Sequence, residues 1–584
     1  MSVKKMLNGI AFRDALRGMG HHAYGVYRRL NHTCIEFEHY SLCFRHIQKS
    51  PGAMPASVCD LILPASTVPV PGWALSNDAR SVATADFILR SFIGGVETVA
   101  RQNRGADGSG SYQCPQLPQQ ILMRNSVTFS TNGVSISFRV SLPGSSSQTV
   151  LADEAEAMFC RELADIAHRV KEDIFDGQRL RAQCELVEDM RHVQDRLGDN
   201  GLVAFIADGA MLPRASGSSD KPAMDNPAVI PFRAPEAAAA VLDFPNAGNV
   251  RGLGIRNGVT VVIGGGFHGK STLLNAVARG IYPHIAGDGR ERVITRKNAM
   301  MVGAEDGRSI QGLDLSAFFN TLPITADPGT FFTNNASGST SQAAAIVESM
   351  LAGADLLLID EDTSATNFLM RDRHMRKLIP EDPITPLVDR VRELYDDHGV
   401  STVIIAGGSA DYLGVADHVI AMRDYVPVDM TAEARALNLP PSHRPASPMT
   451  ISDRRMLLPD NFDPLFINRR MKKKVPVRIK ALRGREREII EYGMDLIDVN
   501  ALAGIVDPDQ MLTLGYCLLF ARRSGLAEAG DSPSGLVRKV IDLVREKGLD
   551  VLQPSTSPPV FFAEIRLLEL AGALNRMRSL AVEG

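Results

Sequence analysis

Short apolar runs alternate with longer helical patterns through the middle of this chain. Residues 259–263 (VTVVI), 356–359 (LLLI) and 403–406 (VIIA) are apolar stretches of strand length, and segments with the period of a helix lie between them. This alternation continues to about Asp424. It predicts an α/β fold in which a mainly parallel sheet is covered by helices.

The two flanks of this region have different patterns. Residues 134–140 alternate in the period of a strand and lie between turn-forming stretches, which predicts an α+β domain over residues 1–165. Towards the other end, residues 536–544 and 565–570 have amphipathic helical patterns and predict a mainly helical domain. We therefore predict three domains, with boundaries at 1–165, 166–445 and 446–584.

The composition restricts the classes of protein to which this chain can belong. With 584 residues, of which 45% are hydrophobic and 22% charged, the chain is typical of a soluble globular protein of several domains. No apolar stretch approaches the ~20 residues that cross a bilayer, which argues against a membrane-embedded role. The net charge of −4 gives no overall attraction to nucleic acid. Seven cysteines, without a C-x-x-C pair, argue for a reducing compartment and against zinc.

The first apolar run leads into a glycine-rich stretch that reads GGGFHGKST. The spacing G-x-x-x-x-G-K-[ST], between a predicted strand and a predicted helix, is that of a loop whose backbone N–H groups bind a phosphate chain. In this pattern Lys270 lies at the β- and γ-phosphates, and the hydroxyl of Ser271 is left for Mg²⁺. The predicted nucleotide-binding residues are Gly264, Gly265, Gly266, Phe267, His268, Gly269, Lys270, Ser271 and Thr272.

The second apolar run ends in two acids, Asp360 and Glu361. At the carboxyl edge of a sheet, one carboxylate of such a pair can bind Mg²⁺ and the next can polarise an attacking water. We therefore predict Asp360 as a metal ligand and Glu361 as a catalytic residue.

A stretch of small residues precedes this acid pair by 23 positions. Ser337, Gly338 and Ser339 open a helical segment, where free N–H groups and the helix macrodipole attract an anion. They are predicted to bind the nucleotide as well. A flexible serine-rich loop is the alternative interpretation.

Together these pieces resemble the ABC class of ATPases. The signature-like ASGST at 336–340 and TSATN at 363–367 stand where that class has its signature and D-loop. Longer phrases, such as ASGSTSQAA and LVAFIADGAMLPRASG, are similar to the family described as "predicted ATPase of the ABC class" over roughly residues 40–430. The resemblance implies an ABC-type P-loop ATPase core that binds ATP and Mg²⁺ in a homodimer. Ser337 and Gly338 of one copy would then complete the site of the other.

Two departures from the class pattern affect the expected chemistry. The usual signature LSGGQ is replaced by ASGSTSQ, and the usual switch histidine after the third apolar run is missing. Sensing of the γ-phosphate is therefore assigned to Ser409 or another group, with slow turnover expected. For the residue that reaches the metal or the water, Glu305 and Gln311 both remain open, and Glu305 is the preferred metal contact.

One member of this family is an RNA-editing accessory ATPase of kinetoplastid mitochondria that carries an extra C-terminal domain. The likeness implies RNA binding, a mitochondrial location and membership of an RNA-editing accessory complex. A cytoplasmic location is the alternative. The densest basic stretch, 469–488, has ten basic and two acidic residues and is the predicted RNA contact. A solvated basic loop is the alternative. The residues singled out are Arg469, Arg470, Lys472, Lys473 and Lys474.

Two functions from different classes follow. The first is an ATPase whose closure on MgATP clamps or remodels RNA. The second is a nucleotide-switched RNA-binding scaffold with little ATP turnover, which the missing histidine and the altered signature favour. A small-molecule kinase would share the phosphate loop but has no use for the signature.

Overall fold

The structure is a computed structural model that divides into two compact units. Unit 1 comprises Met1–Glu188 with Gln553–Ala563, and unit 2 comprises Asp189–Leu552 with Glu564–Gly584. Within the described residues, no helix is long and apolar enough to cross a membrane. The three-domain division stays a prediction. The structure describes residues 5–101, 104–217, 219–223, 229–321, 327–379, 382–408, 410–439, 445, 447–458, 462, 466–468, 473–475, 479–483, 487–527, 530–555 and 558–583, without the side chains of 373–375, 466–468 and 473–475.

Unit 1 is a seven-stranded sheet with helices, in the order β1-β2-β3-β4-β7-β5, and β6 pairs with β7. The alternating stretch predicted as a strand forms most of β7, whose partners β4, β5 and β6 all run antiparallel to it. The elements are β1 Lys5–Asn8, α1 Gly9–Met19, β2 Thr33–Glu36, β3 Ser41–His46, β4 Ser57–Pro64, α2 Asp78–Val99, β5 Ser111–Gln113, β6 Val127–Ser130, β7 Gly133–Ser141, α3 Ala152–Ala157, α4 Leu163–Asp176 and α5 Gln178–Arg196, of which α5 continues into unit 2.

The core of unit 1 is rich in aromatic side chains. Phe44 on β3 and Phe159 pack edge to face with their ring centroids 5.3 Å apart, and both are fully buried. Full burial of each such ring contributes about 1.5–3 kcal/mol. Two of the seven cysteines, Cys34 and Cys43, form a disulfide between directly opposed positions of β2 and β3. The scattered spacing of the cysteines did not predict this pair, because the register of two strands creates it.

Unit 1 also takes in a short segment from near the other end of the chain. Phe562 is fully buried, and its N–H donates to the side-chain oxygen of Asn125 at 2.8 Å. The Asn125 side chain donates in return to the carbonyl of Val560. Residues 553–563 are therefore part of the packing of the N-terminal unit.

Unit 2 contains the strands and helices of the predicted parallel sheet, a second sheet and the C-terminal elements. Its elements up to residue 436 are β8 Leu202–Ala207, β9 Arg214–Ser216, β10 Ser219–Pro222, β11 Ala239–Phe244, β12 Gly248–Arg256, β13 Val259–Gly264, α6 Lys270–Arg279, β14 Val293–Thr295, β15 Ala299–Met301, β16 Ile310–Leu313, β17 Phe331–Thr333, α7 Gly338–Leu351, β18 Leu356–Asp360, α8 Thr366–Leu369, α9 Arg373–Leu378, α10 Leu387–Asp396, β19 Ser401–Ile405, β20 His418–Arg423, β21 Val426–Asp429 and α11 Thr431–Ala436.

The central sheet of unit 2 has the order β15-β18-β19-β13-β20-β21. Every neighbouring pair is parallel except β20 and β21, which form an antiparallel hairpin. The three apolar runs of the sequence are β13, β18 and β19, and they lie side by side at the centre of the sheet. Their buried side chains explain why these strands are continuously apolar. The α/β prediction is confirmed.

The C-terminal part of unit 2 has helices α12 to α14, of which α13 and α14 overlap the two predicted helical segments, and also short strands. β25, β26 and β27 form a three-stranded antiparallel sheet. The sequence did not reveal it, because charged residues interrupt its apolar alternation. The elements are β22 Met456–Leu457, β23 Phe466–Asn468, β24 Lys473–Val475, β25 Ile479–Arg483, β26 Glu488–Tyr492, β27 Asp495–Asp498, α12 Pro508–Arg523, α13 Pro533–Lys547, α14 Leu567–Asn575 and β28 Val582–Glu583.

Candidate functional site

The carboxyl ends of three central strands lie next to each other. β13 ends at Gly264, β18 at Asp360 and β19 at Ile405, and Asp360 lies directly opposite Ile405 in the register. Loops that follow adjacent parallel strands meet at one edge of the sheet, where ligands bind in open α/β sheets. The predicted phosphate loop and the predicted acid pair are therefore at the same edge.

The loop after β13 needs backbone conformations that glycine adopts most easily. Gly264 has φ +143° and Gly269 has φ +93°. A Cβ on Gly264 would lie 2.5 Å from the carbonyl oxygen of Met422, so no other residue fits there. Phe267 also has a left-handed φ, +62°, and its side chain is 98% exposed. The loop therefore holds a large apolar side chain in solvent, on a backbone conformation that costs a non-glycine residue about 1 kcal/mol or more.

Lys270 begins α6 and folds back over the loop. Its Nζ donates to the carbonyl oxygens of Gly264 at 2.8 Å and Gly265 at 2.7 Å. The next residues, Ser271 and Thr272, lie in the first turn of α6, where backbone N–H groups have no partner within the helix. The N-terminus of α6 thus provides the donors and the positive dipole end that an anion requires.

The hairpin between β20 and β21 supports the loop from the side. The N–H of Asp424 donates to Nδ1 of His268 at 2.9 Å. A Cβ on Gly269 would lie 3.2 Å from the ring of Tyr425, which is half exposed. Gly266, by contrast, is exposed, and a Cβ on it would have no neighbour within 4 Å.

The acid pair at the end of β18 is divided between a buried and a more open position. Asp360 is only 4% exposed, and its Oδ1 accepts a hydrogen bond from the N–H of Asp362 at 3.2 Å. Glu361 points to the loop after β19, where its Oε2 accepts hydrogen bonds from the N–H groups of Gly407 and, at 3.1 Å, Gly408. The backbone of this loop therefore holds the Glu361 carboxylate in place.

Lys270 and Glu361 face the same point of this loop. A Cβ on Gly407 would lie 3.9 Å from Nζ of Lys270 and 3.5 Å from Oε2 of Glu361. The lysine of the phosphate loop and the second acid of β18 are thus brought together across β19. The sequence did not identify the two glycines as site residues, because their contribution comes from backbone N–H groups.

Gly408→Ala is expected to lower the rate of the ATP hydrolysis that the sequence predicts about 10- to 100-fold, with little change in ATP affinity, since small displacements of a positioned group have effects of this size. A Cβ on Gly408 would lie 2.8 Å from Oε1 of Glu361, so the carboxylate must move. Single-turnover hydrolysis and equilibrium nucleotide binding measure the two quantities. Gly407→Ala is the matched control, because its Cβ would make only an ordinary contact of 3.5 Å with the same carboxylate. Equal rates in the two variants would contradict this placement of Glu361.

The small-residue stretch is the beginning of α7. Ser337 is the exposed N-cap, and its hydroxyl lies 3.0 Å from that of Thr340, while Ser339 is buried. A Cβ on Gly338 would lie 3.3 Å from the carboxylate of Asp306, so the helix start is closely packed on one side. Its first N–H groups are at the positive end of a 14-residue helix.

Gln342, in the first turns of α7, connects this helix to the segment after the acid pair. Its side chain is fully buried, donates to the hydroxyl of Ser364 at 2.8 Å and accepts from the N–H of Ala365 at 2.9 Å. The sequence pattern predicted no separate role for this residue. The contact fixes TSATN at 363–367 against the signature-like helix.

Glu305 is engaged by two arginines. Arg576, just after α14, donates to Oε2 of Glu305 at 2.9 Å and also to Oε1, and Arg308 lies 3.8 Å from Oε1. Burial would raise the pKa of Glu305, but the charges of Arg576 and Arg308 outweigh it and lower this pKa. Gln311, the other open residue, donates to the hydroxyl of Ser309 at 2.6 Å. A direct contact of Glu305 or Gln311 with a metal ion stays a prediction.

Several predicted residues lie outside the described parts of the chain. Ser409 is one of them, and so are Arg469, Arg470 and Lys472. For Lys473 and Lys474 the backbone is described as part of β24, without the side chains.

The donor set fits Mg²⁺ bound together with a phosphate chain. Among the described residues, no three His, Cys, Asp or Glu side chains come together to hold a metal ion by themselves. Mg²⁺ is usually bound through one or two carboxylates, with the remaining positions taken by phosphate oxygens and water. Asp360 at the end of β18 and the Ser271 hydroxyl in the first turn of α6 provide oxygen donors of this kind.

Three domain families match most of the chain. Residues 11–172 match the N-terminal domain described as "ATPase of the ABC class", and residues 176–453 match the ABC ATPase P-loop domain. Residues 481–583 match the MRB1590 C-terminal domain. These matches agree with the family that the sequence motifs resemble.

One curated relative and several solved structures are also similar. The uncharacterized protein MJ1628 of Methanocaldococcus jannaschii is 30% identical over 251 residues, which are 42% of this chain and 55% of MJ1628, so the match spans about half of that relative. One solved structure is the ADP conformation of MJ1267, an ATP-binding cassette of an ABC transporter, which is 14% identical in sequence. The match covers 33% of this chain and 90% of the MJ1267 chain, with a TM-score of 0.22. Another is CbiO1 from Clostridium perfringens, part of the ABC transporter complex CbiONQ, which is 16% identical in sequence. The match covers 34% of this chain and 91% of the CbiO1 chain, with a TM-score of 0.23. These TM-scores are low, and the strand order of the central sheet is what establishes the α/β fold.

Proposed function

We propose that this chain, which belongs to the ATPases of the ABC class, hydrolyses MgATP between two copies of itself and couples their closure to the binding or remodelling of RNA. The observation that carries the proposal is the approach of Lys270 and Glu361 to the same loop, at Gly407. A phosphate-binding lysine and a carboxylate that can polarise water are what hydrolysis of a terminal phosphate requires.

Each residue of the site has a defined part in this reaction. The N–H groups of the loop and the first turn of α6 would hold the phosphates, and Lys270 would exchange its present carbonyl partners for the β- and γ-phosphates. Ser271 and Asp360 would hold Mg²⁺, which when bound offsets the charge of the phosphates. Glu361, fixed by Gly407 and Gly408, would orient the attacking water and accept its proton.

A second copy would complete the site with the start of its α7. Ser337 is exposed in the single chain, although Ser339, Thr340 and Ser341 in the first turn of the same helix are buried. An exposed helix N-terminus with a hydroxyl is suited to contact the γ-phosphate on the partner's phosphate loop. Ser409, next to the Gly407–Gly408 pair in sequence, is proposed to sense that phosphate in place of a histidine.

RNA is the proposed macromolecular partner. The MRB1590-type domain over residues 481–583 and the basic stretch at 469–488, which overlaps its start, support this choice. Arginine and lysine side chains at this density neutralise several phosphates and bind RNA in a salt-sensitive way. We place the activity in an RNA-editing accessory complex of mitochondria, on the likeness to the kinetoplastid ATPase.

Reversing the charge of Lys472, Lys473 and Lys474 to Glu is expected to weaken RNA binding at least about 10-fold and to reduce its salt dependence, since each phosphate contact releases counterions. RNA should then no longer change the single-turnover rate of ATP hydrolysis. Fluorescence anisotropy at several salt concentrations and rapid-quench hydrolysis measure the two effects. The matched control reverses three exposed basic residues elsewhere in the C-terminal part, Arg523, Arg545 and Lys547.

The same assay separates the two functional hypotheses. A wild-type protein that hydrolyses ATP faster or slower with RNA present supports the coupled ATPase. If RNA changes neither the rate nor the ATP affinity, the two activities are uncoupled. If ATP is bound but hardly turned over under all conditions, the nucleotide-switched RNA scaffold is the better description.

A further inference from the structure

An ion pair connects the end of the C-terminal part to the ATPase core. Arg576 follows α14 and donates through two nitrogens to both carboxylate oxygens of Glu305. The side chains are almost buried, with 5% of Arg576 and 16% of Glu305 exposed. A third nitrogen of Arg576 donates to the carbonyl of Gly572 within α14, which fixes the guanidinium to its own helix. Such a bidentate ion pair holds both side chains in one orientation.

Glu305 belongs to residues 303–308, which we call the linking segment because they contact both halves of the site. On one side, the N–H of Ala304 donates to the carbonyl of Thr363, after the acid pair, at 2.9 Å. On the other side, the N–H of Glu305 donates to the hydroxyl of Ser341 in α7 at 2.9 Å. The linking segment thus lies between the Glu361 region and the signature-like helix.

The linking segment is also bonded to the residues that precede α7. The N–H of Gly307 donates to the carbonyl of Ala336 at 2.8 Å, and the N–H of Ala336 donates back to the carbonyl of Arg308 at 3.0 Å. Arg308 in turn donates to both carboxylate oxygens of Glu348 at 2.7 Å, farther along α7. Arg576, Glu305, Arg308 and Glu348 therefore form a continuous chain of alternating charges from α14 to α7.

A second arginine strengthens the same connection. Arg578 donates to the carbonyl of Gly307 at 3.1 Å and to the carbonyl of Asn334 at 2.8 Å. The two carbonyls flank the start of the signature-like stretch, one in the linking segment and one just before Ala336. Arg576 and Arg578 therefore hold two segments next to the exposed Ser337: the linking segment and the residues that precede Ala336.

We propose that Arg576 is a positioning residue for ATP hydrolysis: through Glu305 it holds the linking segment against Thr363 and α7, so that the state of the C-terminal part sets the hydrolysis rate. This inference rests on the proposed ATPase function and deepens it. RNA bound to the C-terminal part would act on hydrolysis through this pair, without touching the phosphate loop.

Arg576→Ala is expected to lower kcat about 10- to 100-fold, because a small displacement of positioned groups has an effect of this size, and to abolish the change in rate that RNA causes. KM for ATP should stay within about twofold, since within the described part of the chain Arg576 donates to Glu305 and Gly572 and not to Lys270 or the phosphate loop. Arg576→Lys keeps the positive charge but not the bidentate geometry, and its kcat should lie between those of Arg576→Ala and the wild type. Steady-state kinetics with and without RNA give both constants.

The matched control is Arg538→Ala. Arg538, in α13, donates to the carbonyl of Leu351 at the far end of α7, at 3.1 Å. It also joins the C-terminal part to this helix, but away from the linking segment, so kcat and the RNA response should be unchanged. If Arg576→Ala and Arg538→Ala lose the same activity, or if both keep the wild-type kcat, the proposed role of Arg576 is wrong.

A double-mutant cycle with Glu305→Gln tests whether Arg576 acts through Glu305. The double variant should be no slower than the slower single variant, since both remove the same pair. Effects on kcat that multiply would mean that the two residues act separately, with Glu305 in direct contact with the metal or the water, and would overturn the inference.

Hydrogen exchange separates this inference from the ATPase proposal. The N–H groups of Ala304, Glu305, Gly307 and Ala336 should exchange faster in Arg576→Ala than in wild type, and unchanged exchange would overturn the connection. This readout needs no ATP turnover. An inactive wild-type protein would reject the ATPase proposal, whereas an active Arg576→Ala variant with normal kcat would reject only the positioning role.

Discussion

Glu361→Gln is expected to lower kcat for ATP hydrolysis about 10²- to 10⁴-fold, the usual contribution of a positioned general base, and to leave ATP bound. The glutamine side chain keeps the length of glutamate and can still accept a hydrogen bond from Gly408, but it cannot take a proton from the attacking water. Bound nucleotide should therefore accumulate in a complex of two chains. Retention of radiolabelled ATP in gel filtration, with light scattering for the mass, measures both.

The neighbouring acid provides the control for this experiment. Asp362→Asn removes the same charge one position later, from an exposed side chain, and should hydrolyse ATP as the wild type does. Hydrolysis at the wild-type rate in Glu361→Gln would remove Glu361 from the chemistry. If the variant traps ATP but stays monomeric, a second copy of the chain is not part of the ATP-binding site.

Mixing two inactive variants is expected to restore about a quarter of the wild-type hydrolysis, if each site is built from two chains of a symmetric dimer. Lys270→Ala removes the charge that binds the β- and γ-phosphates, and Ser337→Asp places a negative charge at the start of α7 that repels the γ-phosphate. Each variant alone should be almost inactive. Random pairing makes half of the dimers mixed, and each mixed dimer has one site with an intact Lys270 and an intact Ser337.

The choice of aspartate at position 337 keeps the structure of the helix start. Asp, Asn and Ser are N-caps of similar strength, so Ser337→Asp changes the charge with little loss of helix stability. Ser337→Asn has the same shape without the charge and should retain most of the activity. If both variants fold and exchange subunits but mixing restores no hydrolysis, the complete site lies within one chain.

The parts of the site that could be predicted from the sequence are those with a local pattern. The glycine-rich loop between β13 and α6 and the acid pair after β18 have spacing and apolar context that only a phosphate-binding edge of a parallel sheet explains well. Their assembly at one edge follows from the rule that parallel strands present their carboxyl ends together. The helix start at Ser337 was also visible, because small residues precede a segment of good helix formers.

The other parts depend on contacts between segments that are distant in the chain. Gly407 and Gly408 hold Glu361 through backbone N–H groups, and a backbone contact has no side-chain pattern to recognise. The pairing of Arg576 with Glu305 spans 271 residues, and neither residue stands in a motif that suggests the other. The sheet of β25 to β27 was missed for a related reason, since Lys480 and Glu491, which pair across two of its strands, interrupt the apolar alternation that is typical of a strand.

The return of residues 553–563 to the N-terminal unit has a consequence for biosynthesis. While the ribosome makes the ATPase core, the first 188 residues have already emerged, but Phe562, which is fully buried in the finished unit, has not. Residues 1–188 must therefore wait, incompletely packed, until residues 553–563 have been translated. An expression fragment that stops before residue 553 lacks this segment, and its exposed apolar surface would favour aggregation.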